Sequence, residues 1–339
     1  MPKMRAIQIS KPGGPFEMVE REIPEPLSHE VLIKVEACGV CHGKAVVKEG
    51  LFPRLSPPRI PGHEVMSVIH SLGANIRQLK LGQRVAVGWH GGHCFACAAC
   101  RKGDFGGCEK SISTGITRDG GYAEYMMAKE EAIIEVPREL NSIQSAPLVC
   151  AGRTIFGALK DCGALAGDLV AIHGFGGLGH LALQYAVHMG FKTLVISRGK
   201  SEESLAYQLG AHYFLDTTRV DPVKELNKLG GAKAIIGLAP NSQVLSTLVA
   251  GLARHGQLMV VTATHEPLQI PPNFLLGGGR SVRGFAGGDI AETMEFSLQS
   301  KIVPLVEIFP LEKAAEAYEK MMNAEVHFRA VLRMDESTH

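Results

Sequence analysis

The sequence predicts an α/β chain of two domains, in which a β-rich domain precedes a doubly wound parallel sheet. Its 339 residues exceed what one ordinary core holds. Glycine, proline and β-branched runs dominate up to about residue 147, whereas strand and helix patterns alternate after Cys150. Such alternation is typical of a parallel sheet with helices on both faces.

The individual elements follow from apolar periodicity and turn residues. Val31–Val35 and Arg84–Val87 are β-branched runs that predict strands in an otherwise irregular β-domain. Apolar runs and helical patterns then predict, in chain order, strand Leu169–His173, helix Leu178–His188, strand Thr193–Ser197, helix Ser201–Leu209, strand Ala234–Leu238, helix Ser242–Ala253, strand Gln257–Thr262, strand Ser281–Phe285, helix Glu312–Met322 and strand Ala330–Arg333. We expect the last strand to rejoin the first domain.

Composition excludes several classes of function. The formal net charge is +1 and there is no charged tail, so we expect no nucleic-acid partner. Met1–Ser10 has no apolar core for secretion, and no apolar run reaches the roughly 18 residues of a membrane span. In a chain without a signal, eight cysteines are expected to be reduced or metal-bound. We therefore expect a cytoplasmic protein that acts on a small molecule and binds no membrane.

Four of the cysteines form one short run with the spacing C-x2-C-x2-C-x7-C. Four thiolates so close together match a closed tetrahedral zinc site. Because such a site has no open position, it is structural and not catalytic. The predicted ligands are Cys94, Cys97, Cys100 and Cys108, in a lobe that spans residues 91–110.

A glycine-rich string, G-x-G-G-x-G, follows a predicted strand and opens a predicted helix. Glycine allows the tight turn and lets backbone N–H groups approach a pyrophosphate at the positive end of the helix. In that context the string predicts dinucleotide binding. The residues concerned are Gly174, Gly176, Gly177, Leu178 and Gly179.

The end of the second strand of this sheet favours NADP(H) over NAD(H). An NAD site needs a carboxylate there to bind the ribose hydroxyls. This chain instead has Ser197, Arg198 and Lys200, and no acid before Glu202. A hydroxyl and two cations suit a 2′-phosphate.

Three further residues are candidates for a second, catalytic zinc. They are Cys41, His63, which Glu64 follows, and Cys150. Two thiolates and one imidazole leave a tetrahedral zinc one open position. Each residue alone is more simply explained by core packing, so the prediction depends on their joint occurrence with the cysteine run and the glycine string.

These motifs resemble those of the zinc-dependent medium-chain alcohol dehydrogenases, close to the yeast alcohol dehydrogenase and cinnamyl alcohol dehydrogenase branches. The resemblance covers essentially the whole chain, and it is carried by G-V-C-H, P-G-H-E, the four-cysteine lobe, D-G-G-Y-A-E-Y, P-L-V-C-A-G and G-F-G-G-L-G. It implies a GroES-like catalytic domain, placed at residues 1–149 and 287–339, and a Rossmann NADP(H)-binding domain at residues 150–286. It also implies hydride transfer between nicotinamide and a carbonyl carbon, with zinc as Lewis acid.

The resemblance assigns roles to single residues by motif position. It makes Cys41, His63 and Cys150 the ligands of the catalytic zinc, with Glu64 the acid that approaches the metal, so that each subunit holds two Zn²⁺. Thr154 matches a residue beside the nicotinamide, and His42 matches a contact to the cofactor phosphate. Trp89 matches a wall of the substrate pocket, although plain core packing would also explain it. We expect a homodimer or a homotetramer.

The chain departs from the family where C-H-[ST]-D becomes Cys41-His42-Gly43-Lys44. Gly43 lacks the hydroxyl that starts the proton relay, and Lys44 cannot accept a hydrogen bond from the zinc-bound histidine. Val46 takes the place of a relay histidine. Lys44 either turns outward, while water carries the proton, or donates the proton itself, because burial beside a cation lowers the pKa of an amine.

Three functions remain open at this point. The first is ordinary carbonyl/alcohol redox with a degenerate relay. The second is a repurposed reductase of C=N or conjugated C=C bonds, which needs no relayed proton on oxygen. The third is a non-redox enzyme that keeps zinc and cofactor on the same scaffold.

Overall fold

The structure, a computed structural model, describes residues 2–52, 54–264 and 266–334, with the side chains of 44–46 left undescribed. The chain divides into two compact units. The first comprises Met1–Cys150, Ile290–Leu298 and Pro304–His339, and the second comprises Ala151–Asp289 and Gln299–Val303.

The strands form two large sheets and two antiparallel two-stranded sheets. In chain order the strands are β1 Lys3–Gln8, β2 Glu17–Glu22, β3 Glu30–Val40, β4 Val65–Leu72, β5 Arg84–Val87, β6 His90–Gly92, β7 Ile112–Ser113, β8 Tyr125–Lys129, β9 Ile134–Glu135, β10 Leu169–His173, β11 Lys192–Ser197, β12 Tyr213–Asp216, β13 Ala232–Gly237, β14 Leu252–Val260, β15 Ser281–Gly284, β16 Val306–Pro310 and β17 Arg329–Arg333. The two-stranded sheets pair β1 with β2 and β6 with β7.

The helices are short, and most lie in the second unit. They are α1 Ala45–Lys48, α2 Ala98–Arg101, α3 Ser142–Ser145, α4 Ala151–Lys160, α5 Gly179–His188, α6 Glu203–Gln208, α7 Pro222–Lys228, α8 Ser242–Leu248, α9 Pro272–Leu276, α10 Ile290–Gln299 and α11 Ala314–Met322. Across the ranges 2–52, 54–264 and 266–334, no helix has the length and apolarity that a membrane span needs.

The first unit is built on a sheet with strand order β16-β17-β3-β4-β5-β9, and β8 also pairs with β3. β3 lies in its centre and is buried over nearly its whole length, as its apolar sequence predicts. The last strand, β17, pairs antiparallel with β3, with Ala330 opposite Val40. This pairing confirms that the C-terminal strand rejoins the first unit.

The second unit is a six-stranded sheet with order β12-β11-β10-β13-β14-β15, in which all neighbouring strands are parallel. Numbered from its first strand, this order is 3-2-1-4-5-6, the doubly wound Rossmann arrangement. The predicted α/β fold class is therefore confirmed. From β10 successive strands are added towards one edge of the sheet, and from β13 they are added towards the other edge. The carboxyl ends of β10 and β13 border a crevice in which ligands bind in such folds.

The predicted helix over Ser242–Ala253 and the predicted strand over Gln257–Thr262 are wrong in their extent. The helix expected over Ser242–Ala253 ends at Leu248, a 3-10 turn covers Val249–Gly251, and β14 begins at Leu252. Leu252 is fully buried and pairs with Ala232 of β13. Burial in the sheet core therefore overrides the helical pattern at this end.

Candidate active site

The residues of the predicted catalytic zinc site are brought together by the pairing of β3 with β4. Cys41 directly follows β3, and His63 and Glu64 directly precede β4. The strands pair with Cys38 opposite Val65, and the Gly39 N–H donates to the Glu64 carbonyl oxygen over 3.0 Å. The end of one strand and the start of the next thus lie side by side.

Cys150 completes this cluster from a distant part of the sequence. It follows the 3-10 turn Ala146–Val149, and its Sγ lies 3.9 Å from the Cys41 Sγ and 3.3 Å from the His63 Nε2. The ligand atoms of Cys41, His63, Glu64 and Cys150 all lie within 4.8 Å of one another. Two sulfurs and one imidazole nitrogen at this separation fit a tetrahedral zinc with one open position.

Ionisation of Cys41 is favoured by its surroundings. The thiol of Cys150 hydrogen-bonds to it and holds the pKa of Cys41 well below its usual range, against the opposing effect of burial. His63 and the charge of Arg329 act in the same direction. A thiolate is the form that binds a metal, so the site is electrostatically prepared for a cation.

Glu64 is held by a residue that the sequence analysis missed. It is fully buried, and Arg329 of β17, which is 5% exposed, donates from Nη2 to both carboxylate oxygens over 2.7 and 2.9 Å. A side chain on Gly39 would overlap this carboxylate, which explains the glycine inside β3. The pair lies 265 positions apart in sequence, and only the pairing of β17 with β3 shows it.

Trp89 and Gly43 lie beside His63. The rings of Trp89 and His63 are 4.9 Å apart and meet edge to face. A Cβ on Gly43 would lie 3.5 Å from His63 Cε1, 3.5 Å from Trp89 Cζ3 and 3.7 Å from Cys41 Sγ. Those are ordinary van der Waals separations, so the position has room for a side chain that the sequence does not supply. The side chains of Lys44 and Val46 lie outside the described part of the structure.

The four-cysteine lobe is assembled around the short helix α2. The Sγ atoms of Cys94, Cys97, Cys100 and Cys108 lie within 4.8 Å of one another, and the cysteines are free of disulfides. The N–H of Cys94 donates to Cys108 Sγ, and the N–H of Cys97 donates to Cys94 Sγ, each over 3.4 Å. Such N–H···S bonds stabilise thiolates, so this donor set fits a closed zinc site.

The thiols of the lobe differ in acidity. Backbone N–H groups of Cys100 and Glu109 lower the pKa of Cys97 to about 6. Burial, together with the thiols of Cys97 and Cys108, raises the pKa of Cys100 to about 12. Four adjacent thiols cannot all ionise without a compensating cation, and a dication resolves that conflict.

The glycine string forms the turn between β10 and α5, as predicted. Gly174 has φ +101°, and a Cβ there would lie 3.0 Å from the Ala239 nitrogen. Around Gly176, in contrast, a built Cβ would meet no heavy atom of the described residues within 4 Å apart from its chain neighbours, so the space over the turn is open. Gly177 and Leu178 complete the turn, and α5 begins at Gly179. This arrangement fits a pyrophosphate at the helix N-terminus.

The other predicted cofactor residues lie on several elements. Ser197 is the last residue of β11, and Arg198 and Lys200 are exposed just after it. Lys200 forms an ion pair with Glu203 over 3.5 Å, which leaves Arg198 the better placed cation for a phosphate. Thr154 is half-buried in α4, and His42 is exposed in the turn after Cys41.

Comparison with known proteins identifies the family. Residues 27–138 match the alcohol dehydrogenase GroES-like domain, and residues 177–300 match the zinc-binding dehydrogenase domain. An alcohol dehydrogenase of Penicillium expansum is 39% identical over 95% of both chains. The chain belongs to the medium-chain alcohol dehydrogenase family. An alcohol dehydrogenase of Geobacillus stearothermophilus is 35% identical, over 98% of this chain and all of its own.

Solved structures of this dehydrogenase family superpose over almost the whole chain. A cinnamyl alcohol dehydrogenase of Sorghum bicolor has a TM-score of 0.88 at 26% identity, with 99% of each chain covered. A protein of Helicobacter pylori described as CAD, solved in complex with NADP(H), has a TM-score of 0.86 at 26% identity, again with 99% of each chain covered. The chain is therefore an oxidoreductase of the alcohol dehydrogenase type, as its motifs predicted.

Proposed function

We propose that this dehydrogenase is a zinc-dependent, NADP(H)-linked oxidoreductase that interconverts a carbonyl compound and its alcohol. The observation that carries the proposal is the convergence of two cysteine sulfurs and one histidine nitrogen in the first unit. Zinc bound there would supply Lewis acidity and NADP(H) would supply or accept hydride. Cys41, His63 and Cys150 would hold this zinc, and the four cysteines of the lobe would hold a second, structural zinc.

The protein side chains around the site have separate tasks. Glu64, neutralised by Arg329, keeps a carboxylate close to the thiolates without leaving an unpaired buried charge. Trp89 packs edge to face against His63 and would form an apolar wall for the substrate. In the second unit, the glycine turn would bind the pyrophosphate, and Thr154 would face the nicotinamide.

Turnover tests the proposal directly. Zinc-replete protein should consume NADPH with members of a panel of aromatic and aliphatic aldehydes, and NADH should serve poorly. The product should be heavier than the substrate by the mass of two hydrogens. Absence of turnover with every aldehyde would count against carbonyl reduction.

Arg198 is expected to determine the preference for NADPH. Charge-assisted hydrogen bonds to a phosphate contribute more than neutral ones, so Arg198→Ala should raise the KM for NADPH about tenfold and leave the KM for NADH nearly unchanged. Arg254→Ala, which removes an exposed arginine near the amino end of β14, is the matched control. Equal changes for both cofactors would remove Arg198 from the 2′-phosphate site.

Gly43 is expected to limit the ordinary alcohol reaction. Gly43→Ser fits the open space beside His63 and places a hydroxyl near the site, so alcohol oxidation should rise roughly tenfold, and further when Lys44→Asp is added. Gly43→Ala adds the Cβ without the hydroxyl and is the control. If serine and alanine have the same effect on kcat, the missing relay hydroxyl does not limit the reaction.

The lack of a hydroxyl at Gly43 also favours a second candidate function. A substrate that receives hydride without a proton relayed to an oxygen, such as an iminium or a conjugated alkene, would suit the same site. Turnover of NADPH with these acceptors but not with aldehydes would favour this repurposed reductase. A product of unchanged mass, formed without NADPH consumption, would instead indicate a non-redox enzyme.

For either function we expect a homodimer or homotetramer.

A further inference from the structure

His173 occupies the end of the first strand of the second unit's sheet. It is the last residue of β10 and immediately precedes the glycine turn. Its carbonyl oxygen accepts hydrogen bonds from the N–H groups of Leu238 and Ala239, over 2.9 and 3.1 Å, just beyond β13. His173 is thus fixed between β10 and β13, where the strand order reverses and ligands bind in this type of sheet.

The side chain of His173 is buried without full satisfaction of its polar atoms. It is 7% exposed, and its Nδ1 has no hydrogen-bond partner among the described residues. Strand pairing sets His173 beside Ile196 and Gly237, on the sheet face that also carries Ala171. A buried polar atom without a partner destabilises a fold, and an apolar side chain would avoid that penalty.

The imidazole is neutral at physiological pH. Burial lowers the pKa of His173 to about 4. A neutral ring can accept or donate one hydrogen bond at each nitrogen, but it offers no charge to a phosphate. It can therefore pair with an uncharged polar group, such as a ribose hydroxyl or a base nitrogen, without bringing a charge into the buried position.

We propose that His173 hydrogen-bonds through Nδ1 to an uncharged polar group of the adenosine half of NADP(H), and so acts as a further cofactor-binding residue. The inference rests on the proposed binding of NADP(H) at the glycine turn. His173 lies on the side of the sheet that binds adenosine, because β10, β11 and β12 form the first mononucleotide-binding half and the ribose-binding position lies at the end of β11, next to His173. In the free protein the unpaired nitrogen lowers stability, and cofactor binding satisfies it.

His173→Phe tests this role, since phenylalanine fills a similar volume without polar atoms. The readouts are calorimetric Kd values for NADP⁺, 2′,5′-ADP and nicotinamide mononucleotide, and urea unfolding of the cofactor-free protein. Loss of one hydrogen bond predicts about fivefold weaker binding of NADP⁺ and 2′,5′-ADP, with nicotinamide mononucleotide unchanged. The cofactor-free variant should be as stable as wild type or more so. His173→Gln, which keeps a polar side chain, should recover part of the affinity.

A control and a second variant make the result decisive. His188→Phe removes another histidine of the second unit, whose Nδ1 lies 2.9 Å from the Gln184 carbonyl oxygen, and should leave all three Kd values unchanged. His173→Leu replaces His173→Phe if the latter fails to fold. Unchanged affinity in the apolar variants, or equal weakening for all three ligands together with lost stability, would overturn the role of His173. Wild-type protein that binds neither NADP⁺ nor 2′,5′-ADP would overturn the proposed cofactor site itself.

Discussion

Replacement of His63 by alanine is expected to abolish NADPH-dependent turnover while the protein stays folded. The substitution removes the one nitrogen from the cluster with Cys41 and Cys150. Two thiolates alone hold zinc poorly, and a Lewis acid contributes several kcal/mol to the reaction, so the rate should fall by about 10³-fold or more. Bound zinc should fall from two ions to one per chain, because the four-cysteine lobe is untouched.

His70→Ala is the matched control for this variant. His70 lies on β4, seven positions further along the chain, and its exposed ring meets that of Tyr125 edge to face. The control should keep wild-type turnover and both zinc ions. A His63→Ala protein that keeps two zinc ions and more than a tenth of the wild-type rate would show that His63 is not a ligand of the catalytic metal.

Replacement of Arg329 by methionine is expected to cause a large loss of stability. The variant leaves the Glu64 carboxylate fully buried without its cationic partner. Breaking a buried ion pair from one side lowers the free energy of unfolding by about 3–5 kcal/mol. The measurement is urea unfolding followed by circular dichroism, with two-state behaviour checked for each unit.

Two comparisons isolate the contribution of the buried ion pair to the free energy of unfolding. Removing both charges, in Glu64→Leu with Arg329→Met, should recover at least half of the loss, because no unpaired charge remains. Lys3→Met breaks a surface pair with Glu20, whose side chains are 62% and 65% exposed, and should change stability by at most about 1 kcal/mol. If Arg329→Met unfolds within 1 kcal/mol of wild type, the buried pair does not stabilise the first unit.

Local chemistry made much of this protein predictable from its sequence. The glycine string indicates a dinucleotide turn because only glycine permits its backbone, and the turn lies where the strand and helix patterns place it. The four-cysteine spacing indicates a metal lobe because zinc needs those ligands close together, and the four sulfurs do cluster. These signals lie within short segments and depend little on the rest of the fold.

What the sequence could not show depends on contacts between distant segments. In the sequence nothing distinguishes Arg329 from other arginines. Its contact with Glu64 results from the pairing of β17 with β3. In the sequence His173 is one residue of an apolar strand, and only the structure shows that its Nδ1 is buried without a partner. The end of α8 was misplaced for a related reason, since the buried position of Leu252 in the sheet decides it. Hydrophobic patterns carry no information about such partners.

The central claim is that a second zinc is held by Cys41, His63 and Cys150. Zinc K-edge X-ray absorption of the purified, zinc-replete protein tests this claim most directly. We predict two zinc ions per chain, one bound by four thiolates and one by two. The average is then about three sulfur ligands near 2.3 Å, with a nitrogen or oxygen contribution near 2.0 Å. His63→Ala should shift the average to four sulfurs and one ion. One zinc per wild-type chain, bound by four sulfurs alone, would contradict the account.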